Sequence, residues 1–470
     1  MILKEYSEEK LFTIIMLITG LILIFLLPPM TTPDERAHFV NSYTISYGDI
    51  FPEYVDGKVG KYVNTDAITF MNENNLKYTG KLETKYTFSE MYFDSWLPNS
   101  NTETSFMSLG KHMEVNPIGY IISSTGMFFG RIASYILGEK FLSPYNSLLF
   151  GKMANLFFYV FIGAFAIKRT IYLKKTMIVL LLLPMNIYLG STISYDAILI
   201  PICCLYFAEI MRLLRRNNTI YKKDIMIICI CAFFMVGIKM AYAPLLLLLL
   251  LIPKENYTSK KQYKICILSF LLVCFIAYFI PKFLLYLSLN GQHQALETSI
   301  KLQYDYFSKH FLEFPMIFFN SLKQYYNYYL VSFYGKLGEL DVNFPVPFLT
   351  LGIISLIFII ISESFEYDKV KLKVKISILF IVSIIVIAIF LTMYLNWTPL
   401  VETVGGSLVS GVQGRYFSPL FLFIVTLFTN NLIKNKKIYN YSRKITGNLT
   451  MFMIFLNPII TIFVLLIRFW

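Results

Sequence analysis

The chain has 470 residues, of which 56% are hydrophobic and only 15% are charged, and its mean hydropathy is +0.59. A soluble protein carries roughly 25% charged residues, so this composition excludes a soluble domain and indicates a polytopic membrane protein. The net charge of +13 comes from short basic clusters between apolar runs, a pattern typical of topology signals and not of nucleic-acid binding.

The apolar runs predict the membrane-spanning helices. They occupy about 11–28, 117–137, 147–167, 176–193, 195–213, 225–252, 264–287, 346–362, 376–395, 416–433 and 449–467. The first run lacks a basic leading segment and a small-residue cleavage site, so we interpret it as a retained anchor. All six cysteines lie inside apolar runs, which argues against a disulfide framework or a zinc site.

Five basic clusters lie between these runs, at 168–175, 215–224, 254–264, 369–375 and 434–444. The positive-inside rule assigns all five to the cytoplasm. If both 117–137 and 147–167 crossed the bilayer, the cluster at 168–175 would lie outside. The run 117–137 is rich in Gly, Ser and Thr and contains Arg131, so we predict that it lies in the outer interface.

The run 225–252 is flanked by basic clusters at both ends, and it contains Lys239 and Pro244 near its middle. Two short helices that meet near Lys239 would carry the chain out and back. Each is shorter than the usual ~20 residues of a span. Short or broken helices are tolerated where they contact protein and not lipid.

The predicted fold is therefore an all-α integral membrane protein with about eleven transmembrane helices, forming a single polytopic membrane domain over residues 1–470. A first extracytoplasmic loop at about 30–146 carries interfacial helices and short strand-like pieces around "YVDGKVGKYV". A second long extracytoplasmic loop covers about 288–345. The candidate catalytic and binding residues lie on this outer face.

The segment "TTPDERAH" places Asp34, Glu35 and His38 directly after the first span. Thr32 as N-cap, Pro33 as the first helical residue and Glu35 at N3 fit a capping box, which is the structural interpretation. That interpretation leaves out His38, one turn after Asp34 on the same face. A carboxylate here could act as a general base on an acceptor hydroxyl or hold a divalent cation, so Asp34 and Glu35 are the catalytic candidates.

Three further segments supply binding candidates on the outer side. "KHMEVNPIGY" offers Glu114 and Asn116, which could face the same cavity as Asp34 or simply form a helix-entry loop. "STISYDAILI" places Asp196 at the outer end of a span. Lys239 lies deep in an apolar run, where an ammonium group requires a partner, either an anionic ligand or Asp196.

The segment "GVQGRYFSPL" places Arg415 and Tyr416 at the outer mouth of the next-to-last span. Arginine suits bidentate recognition of a phosphate or diphosphate, and snorkelling to lipid phosphates is the structural alternative. The sequence contains no Walker loop, dinucleotide fingerprint or Ser/His/Asp signature, so a nucleotide-sugar or ATP site has no support.

The chain resembles a family of bacterial polytopic membrane proteins of formerly unknown function. The resemblance lies in the order of six segments: "PPMTTPDERAHFV", "NPIGY", "ISYDAIL", "IKMAYAPLLLL", "FYGKLG" and "QGRYFSPL". That family is allied to the C-type glycosyltransferase superfamily, which uses lipid-linked sugar donors. The resemblance implies a catalytic acidic residue in the first outer loop, at Asp34 or Glu35. Relatives often carry His and a second proline near "NPIGY", where this chain has Glu114, Asn116 and Ile118.

These observations lead us to expect a glycosyltransferase in the cell membrane, with its site on the extracytoplasmic face. It would move a sugar from a polyprenyl-phosphate donor to a cell-envelope glycan acceptor in polysaccharide biosynthesis. His38, Glu114, Asn116, Asp196, Lys239, Arg415 and Tyr416 would bind the substrates. The alternatives are a polysaccharide polymerase or ligase that uses diphosphate-linked glycans, and a transporter or flippase of lipid-linked sugars. A flippase would predict internal symmetry, and the sequence shows no repeat.

Overall fold

The computed structural model describes residues 7–78, 80–81, 83–96, 103–138, 142–215, 218–364, 370–429 and 436–470. Most of them are helical. The α-helices are, in chain order, α1 (Glu8–Leu26), α2 (Glu35–Ser46), α3 (Thr65–Tyr78), α4 (Phe88–Trp96), α5 (Ile121–Ile136), α6 (Pro144–Arg169), α7 (Lys174–Leu181), α8 (Pro184–Gly190), α9 (Asp196–Leu213), α10 (Lys222–Ile238), α11 (Lys260–Ser288), α12 (Thr298–His310), α13 (Phe314–Tyr334), α14 (Val346–Ser364), α15 (Leu372–Asn396), α16 (Thr398–Val401), α17 (Phe421–Phe428) and α18 (Lys436–Phe469). Short 3₁₀ helices cover Gly110–Met113, Pro117–Tyr120, Met240–Leu251, Lys254–Asn256, Phe311–Glu313 and Gly414–Leu420.

Six helices of the described part are long and apolar enough to cross a membrane: α1, α6, α11, α14, α15 and α18. Two shorter apolar segments, Met240–Leu251 and Gly414–Phe428, add to them. This confirms the prediction of an all-α membrane protein at the level of fold class. The number of crossings stays a prediction.

A small antiparallel sheet lies in the first long loop, as the strand-like pieces of the sequence predicted. It consists of β1 (Glu53–Val55), β2 (Lys58–Asn64) and β3 (Thr104–Met107), in that order. Asp56 and Gly57 form the β1–β2 turn with φ angles of 48° and 82°. Positive φ at both turn residues matches the right-handed twist of the strands, which explains the Asp-Gly pair.

The segment predicted to lie in the interface forms α5, whose 16 residues pack along α6. The contact is close at Gly126, because any side chain there would collide with the backbone oxygen of Phe150 and with Ala154. The opposite face exposes large apolar side chains, Phe128 and Phe129 among them. An exposed apolar face on a short helix agrees with an interfacial position.

The run around Lys239 leaves one end of the helix bundle and returns to it. α10 ends at Ile238, Lys239 is extended, and the 3₁₀ helix Met240–Leu251 leads back. The two ends meet where the Ile220 N–H donates to the Asn256 carbonyl at 2.9 Å. A 3₁₀ helix rises about 2.0 Å per residue against 1.5 Å for an α-helix, so twelve residues cover a longer distance.

Contacts at that end of the bundle join segments that are far apart in sequence. Arg169 contacts the carboxylates of Glu209 and Asp224 at 2.6 and 2.8 Å, and both carboxylates are fully buried. The carboxylate of Glu363 accepts hydrogen bonds from the start of α7. The basic clusters at 168–175 and 254–264 and the described part of 215–224 therefore lie together, as the positive-inside assignment requires.

The predicted second long loop holds two helices, α12 and α13, followed by a hairpin of β4 (Lys336–Leu337) and β5 (Val342–Asn343). Asp341 of this hairpin forms an ion pair of 3.3 Å with Arg468 of α18. Nearby, the Tyr86 N–H of the first long loop donates to the carbonyl of Phe469. Both long loops and the end of α18 thus lie at the same end of the bundle, opposite the basic clusters.

Candidate active site

The candidate site is organised by the start of α2. The sequence predicted Thr32 as N-cap and Pro33 as the first helical residue, and this is wrong: α2 begins at Glu35, with Asp34 as N-cap. Asp34 adopts a left-handed conformation, φ 60°, and its side chain makes no capping hydrogen bond. The oxygen Oγ1 of Thr32 is buried without a hydrogen-bond partner in the described structure. Left-handed non-glycine residues are uncommon and often mark functional sites.

Glu35 serves the fold. One carboxylate oxygen accepts hydrogen bonds from the N–H groups of Thr31 and Thr32 at 3.0 and 3.2 Å. The other lies 3.0 Å from the ammonium nitrogen of Lys152 on α6, and both charged side chains are only 1% exposed. Half of the predicted capping box is therefore present. Asp34, whose side chain is 48% exposed, is the carboxylate that a substrate can reach.

Arg415 lies between two carboxylates. Its guanidinium nitrogens are 3.6 Å from Asp34 and 3.8 Å from Asp196, and its side chain is 4% exposed. Both distances exceed a hydrogen bond, and the Nε atom of Arg415 has no partner in the described residues. The guanidinium therefore keeps N–H donors that could bind an oxyanion.

Lys239 occupies a cage of tyrosine rings. Its ammonium nitrogen is 4.0 Å from the ring centre of Tyr416, and those of Tyr242 and Tyr195 are 5.9 and 6.0 Å away. The described structure contains no ion pair between Lys239 and Asp196, the alternative that the sequence left open. Asp196 instead faces Arg415. The ring faces stabilise the cation without neutralising it, so its charge remains for an anionic ligand.

His38 packs beneath this group. Its Nδ1 lies 3.1 Å from the Tyr120 hydroxyl oxygen, and its ring contacts Tyr195 edge-on at 5.0 Å between centroids. Burial lowers the pKa of His38 to about 4, against the opposing effect of Asp34 and Asp196. His38 is therefore neutral at neutral pH and supports the tyrosine rings.

A cavity of about 440 Å³ with both polar and apolar walls opens beside Asp34, and Tyr195 and Tyr416 form part of its wall. Glu114 and Asn116 do not line it. Glu114 accepts a hydrogen bond from the Gln294 N–H at 2.7 Å, and Asn116 caps the 3₁₀ helix Pro117–Tyr120 and donates to the Ala277 carbonyl. Of the two alternatives that the sequence left open for Glu114 and Asn116, these contacts agree with the helix-entry loop.

The structure thus brings together Asp34, His38, Asp196, Lys239, Arg415 and Tyr416 from four separate segments. A family described as "Predicted membrane protein (DUF2142)" matches residues 17–424, most of the chain. The chain belongs to this family. No curated protein and no solved structure matches it. The match with the DUF2142 family establishes a membrane protein and leaves its activity open.

Two residues of this DUF2142 protein escaped the sequence analysis. Lys152 lies inside an apolar run, a position that itself signals a structural or functional partner. Glu339 lies on the β4–β5 hairpin, and partial burial, followed by the charges of Asp341, Glu35 and Asp34, raises its pKa to about 7. Glu339 therefore belongs to the electrostatic environment of Asp34.

The side chains around Asp34 can be compared with those that a divalent cation, one of the roles predicted for this carboxylate, would require. Within the described residues, no group of three or more His, Cys, Asp or Glu side chains could hold a metal ion. Asp34 and Asp196 face Arg415 and not a shared cation position. The acidic and basic side chains Asp34, Asp196, Lys239 and Arg415 therefore supply the chemistry of the site.

Proposed function

We propose that this protein is a membrane glycosyltransferase that transfers a sugar from a polyprenyl-phosphate donor to an extracytoplasmic cell-envelope glycan. The single observation that carries the proposal is the arrangement of Asp34 and two cations. An accessible carboxylate lines a cavity, and Arg415 and the tyrosine-caged Lys239 lie beside it.

The arrangement suits the reaction. Asp34 accepts the proton of an acceptor hydroxyl while the oxygen of that hydroxyl attacks the anomeric carbon of the donor sugar. The bond between that carbon and the phosphate oxygen breaks, and the polyprenyl phosphate leaves with the bonding electrons. Arg415 and Lys239 stabilise the negative charge on the leaving phosphate. The proton then passes from Asp34 to solvent.

A lipid-linked donor also has a place for its chain. An apolar groove of about 510 Å³ lies between α13, α14 and the segment that follows Tyr416, with Phe417 and Phe421 in its wall. Phe417 is two residues from Arg415 on the same 3₁₀ helix. A phosphate bound at Arg415 can therefore extend its isoprenoid chain into this groove, towards the bilayer.

The proposal includes a topology of eleven crossings in the cell membrane. They are α1, α6, α7 with α8, α9, α10, the 3₁₀ helix Met240–Leu251, α11, α14, α15, Gly414–Leu420 with α17, and α18. α9 starts at Asp196 in the site and carries Glu209 of the basic end near its other terminus. This separation supports a site on the extracytoplasmic face.

The test is the set of lipid-linked saccharides in a strain that lacks the gene. A surplus of mono-phosphate-linked sugar together with an unmodified envelope glycan supports the transferase. Accumulation of complete diphosphate-linked repeat units would instead indicate a polymerase or ligase. Purified protein in liposomes that moves the donor between leaflets without forming a glycosidic bond would indicate a flippase.

A further inference from the structure

The cavity beside Asp34 is lined by polar side chains that have no role in the transfer step. Its wall combines residues from the first loop, the second loop and the segment between α15 and the 3₁₀ helix Gly414–Leu420. Its volume of about 440 Å³ falls within the range of small-molecule sites, roughly 300–1,000 Å³. A ligand with the size of a few rings would therefore fit.

The wall of the cavity contains hydrogen-bond acceptors. The amide oxygen Oε1 of Gln413 is buried and has no hydrogen-bond partner in the described structure. Asp34 and Glu297 line the same space, and so do Lys111 and His112. A buried acceptor without a donor costs free energy, so Gln413 favours a ligand that donates hydrogen bonds. The exposed carboxylates of Asp34 and Glu297 add acceptors for such a ligand. Hydroxyl groups do so, whereas an ionised phosphate or carboxylate cannot.

The cavity also presents a fixed aromatic face. The Trp397 ring is 41% exposed and lines the cavity. Gly411, with φ 85°, packs directly against that ring, so closely that the Cβ of any other residue would collide with the indole. The glycine therefore fixes the orientation of the indole. An aromatic face of this kind suits the C–H surface of a sugar ring.

From these contacts we infer that the cavity is the acceptor subsite and binds a neutral saccharide. Its hydroxyls donate to Gln413 and Asp34, and its ring packs on Trp397. This inference rests on the proposed function and adds the chemical class of the acceptor. Arg415 and Lys239 do not line this cavity, so the two cations assigned to the leaving phosphate lie beside it and not in its wall.

Binding can be measured without turnover. The full chain, purified in detergent, is titrated with the neutral disaccharides maltose, cellobiose and lactose and with glucose 6-phosphate and glucosamine, with saturation-transfer NMR as the readout. We expect a neutral disaccharide to bind. Gln413→Leu should raise its Kd about three- to tenfold, the effect of one lost hydrogen bond. Gln413→Glu keeps an acceptor oxygen and should retain binding.

Two further variants complete the design. Trp397→Leu should weaken binding at least as much as Gln413→Leu, since it removes the aromatic face. Gln324→Leu changes an exposed glutamine on α13 and should leave the Kd unchanged. Size-exclusion profiles identify any variant that fails to fold.

Several outcomes would overturn the inference. They are no binding of any neutral disaccharide, binding of glucose 6-phosphate or glucosamine alone, or neutral binding that Gln413→Leu and Trp397→Leu leave unchanged. Saccharide binding without any transfer would overturn the proposed function and the assignment of the cavity as an acceptor subsite, and only the saccharide site itself would stand. Transfer with an acceptor KM that Gln413→Leu does not alter would overturn this inference alone.

Discussion

The ammonium nitrogen of Lys152 lies 3.0 Å from the carboxylate of Glu35, and both side chains are 1% exposed. Glu35 also fixes the backbone of the preceding turn through two hydrogen bonds. One ion pair between α2 and α6 therefore determines where the neighbouring Asp34 carboxylate lies. This relationship divides the two adjacent carboxylates into a structural one and a reactive one, and their substitutions should have different effects.

The first prediction concerns that buried pair. Lys152→Met leaves the Glu35 carboxylate buried without its partner, which should destabilise the protein by about 3–5 kcal/mol. Lys152→Met combined with Glu35→Gln should recover part of the loss. Lys174→Met breaks the partly exposed pair with Glu8 and should cost no more than about 1 kcal/mol. Thermal unfolding in detergent measures all three, and equal midpoints for Lys152→Met and Lys174→Met would contradict the structural assignment.

The second prediction concerns Asp34. Its side chain makes no capping hydrogen bond, so Asp34→Asn should express and unfold like the wild type. The rate of transfer should fall by about a hundredfold or more, because the amide cannot take the proton from the hydroxyl group of the acceptor sugar. The matched control is Asp56→Asn, which changes an exposed aspartate that is also left-handed, with φ 48°. More than roughly a third of wild-type transfer in Asp34→Asn would show that Asp34 is not the base.

The third prediction concerns Lys239. If it stabilises the leaving phosphate, Lys239→Met should abolish transfer and leave the protein inserted and folded, since removing a membrane-embedded charge is not itself destabilising. Lys282→Met is the control, because Lys282 also lies over a tyrosine ring, 4.6 Å from that of Tyr278, and lies outside the site. The assignment fails if Lys239→Met keeps full activity in liposomes containing the lipid donor.

The fourth prediction concerns pH. Burial lowers the pKa of His38 to about 4, against an ordinary value of 6.5, so the unfolded chain binds this proton more tightly than the folded protein. The stabilisation by neutral His38 is complete above about pH 6.5 and is lost as the pH falls towards 4. His38→Asn should flatten this part of the stability curve, and the exposed His310→Asn should not. Parallel unfolding curves for wild type and His38→Asn between pH 7 and pH 4 would refute it.

The fifth prediction concerns topology. The sequence predicts that Ser100 lies outside the cell and Asn217 inside, and an introduced cysteine at each would test this. Both positions lie outside the described residues, so we choose the exposed residues Lys58 and Lys223 for the cysteines. An impermeant thiol reagent should label Lys58→Cys in intact cells and label Lys223→Cys only after permeabilisation. The unsubstituted chain gives the background from its own cysteines. Equal labelling of both positions in intact cells would exclude the proposed eleven-crossing topology.

The sequence by itself determined the fold class, because long apolar runs with few charges have only one stable environment. It also predicted the out-and-back segment at Lys239, since basic clusters on both sides required two crossings where the length suggested one. The strand-like pieces around "YVDGKVGKYV" predicted the small sheet, and the structure added its antiparallel register. These features depend on local composition and on charge, which a linear pattern contains.

The tertiary structure alone decided what each charged residue contacts. Asp34 and Glu35 are adjacent in sequence, and only the position of Lys152, more than a hundred residues away, makes one buried and the other accessible. The same holds for Asp196, which faces Arg415 and not Lys239. Ion pairs between helices form in three dimensions, and their free energy depends on burial and distance, quantities that residue spacing does not determine.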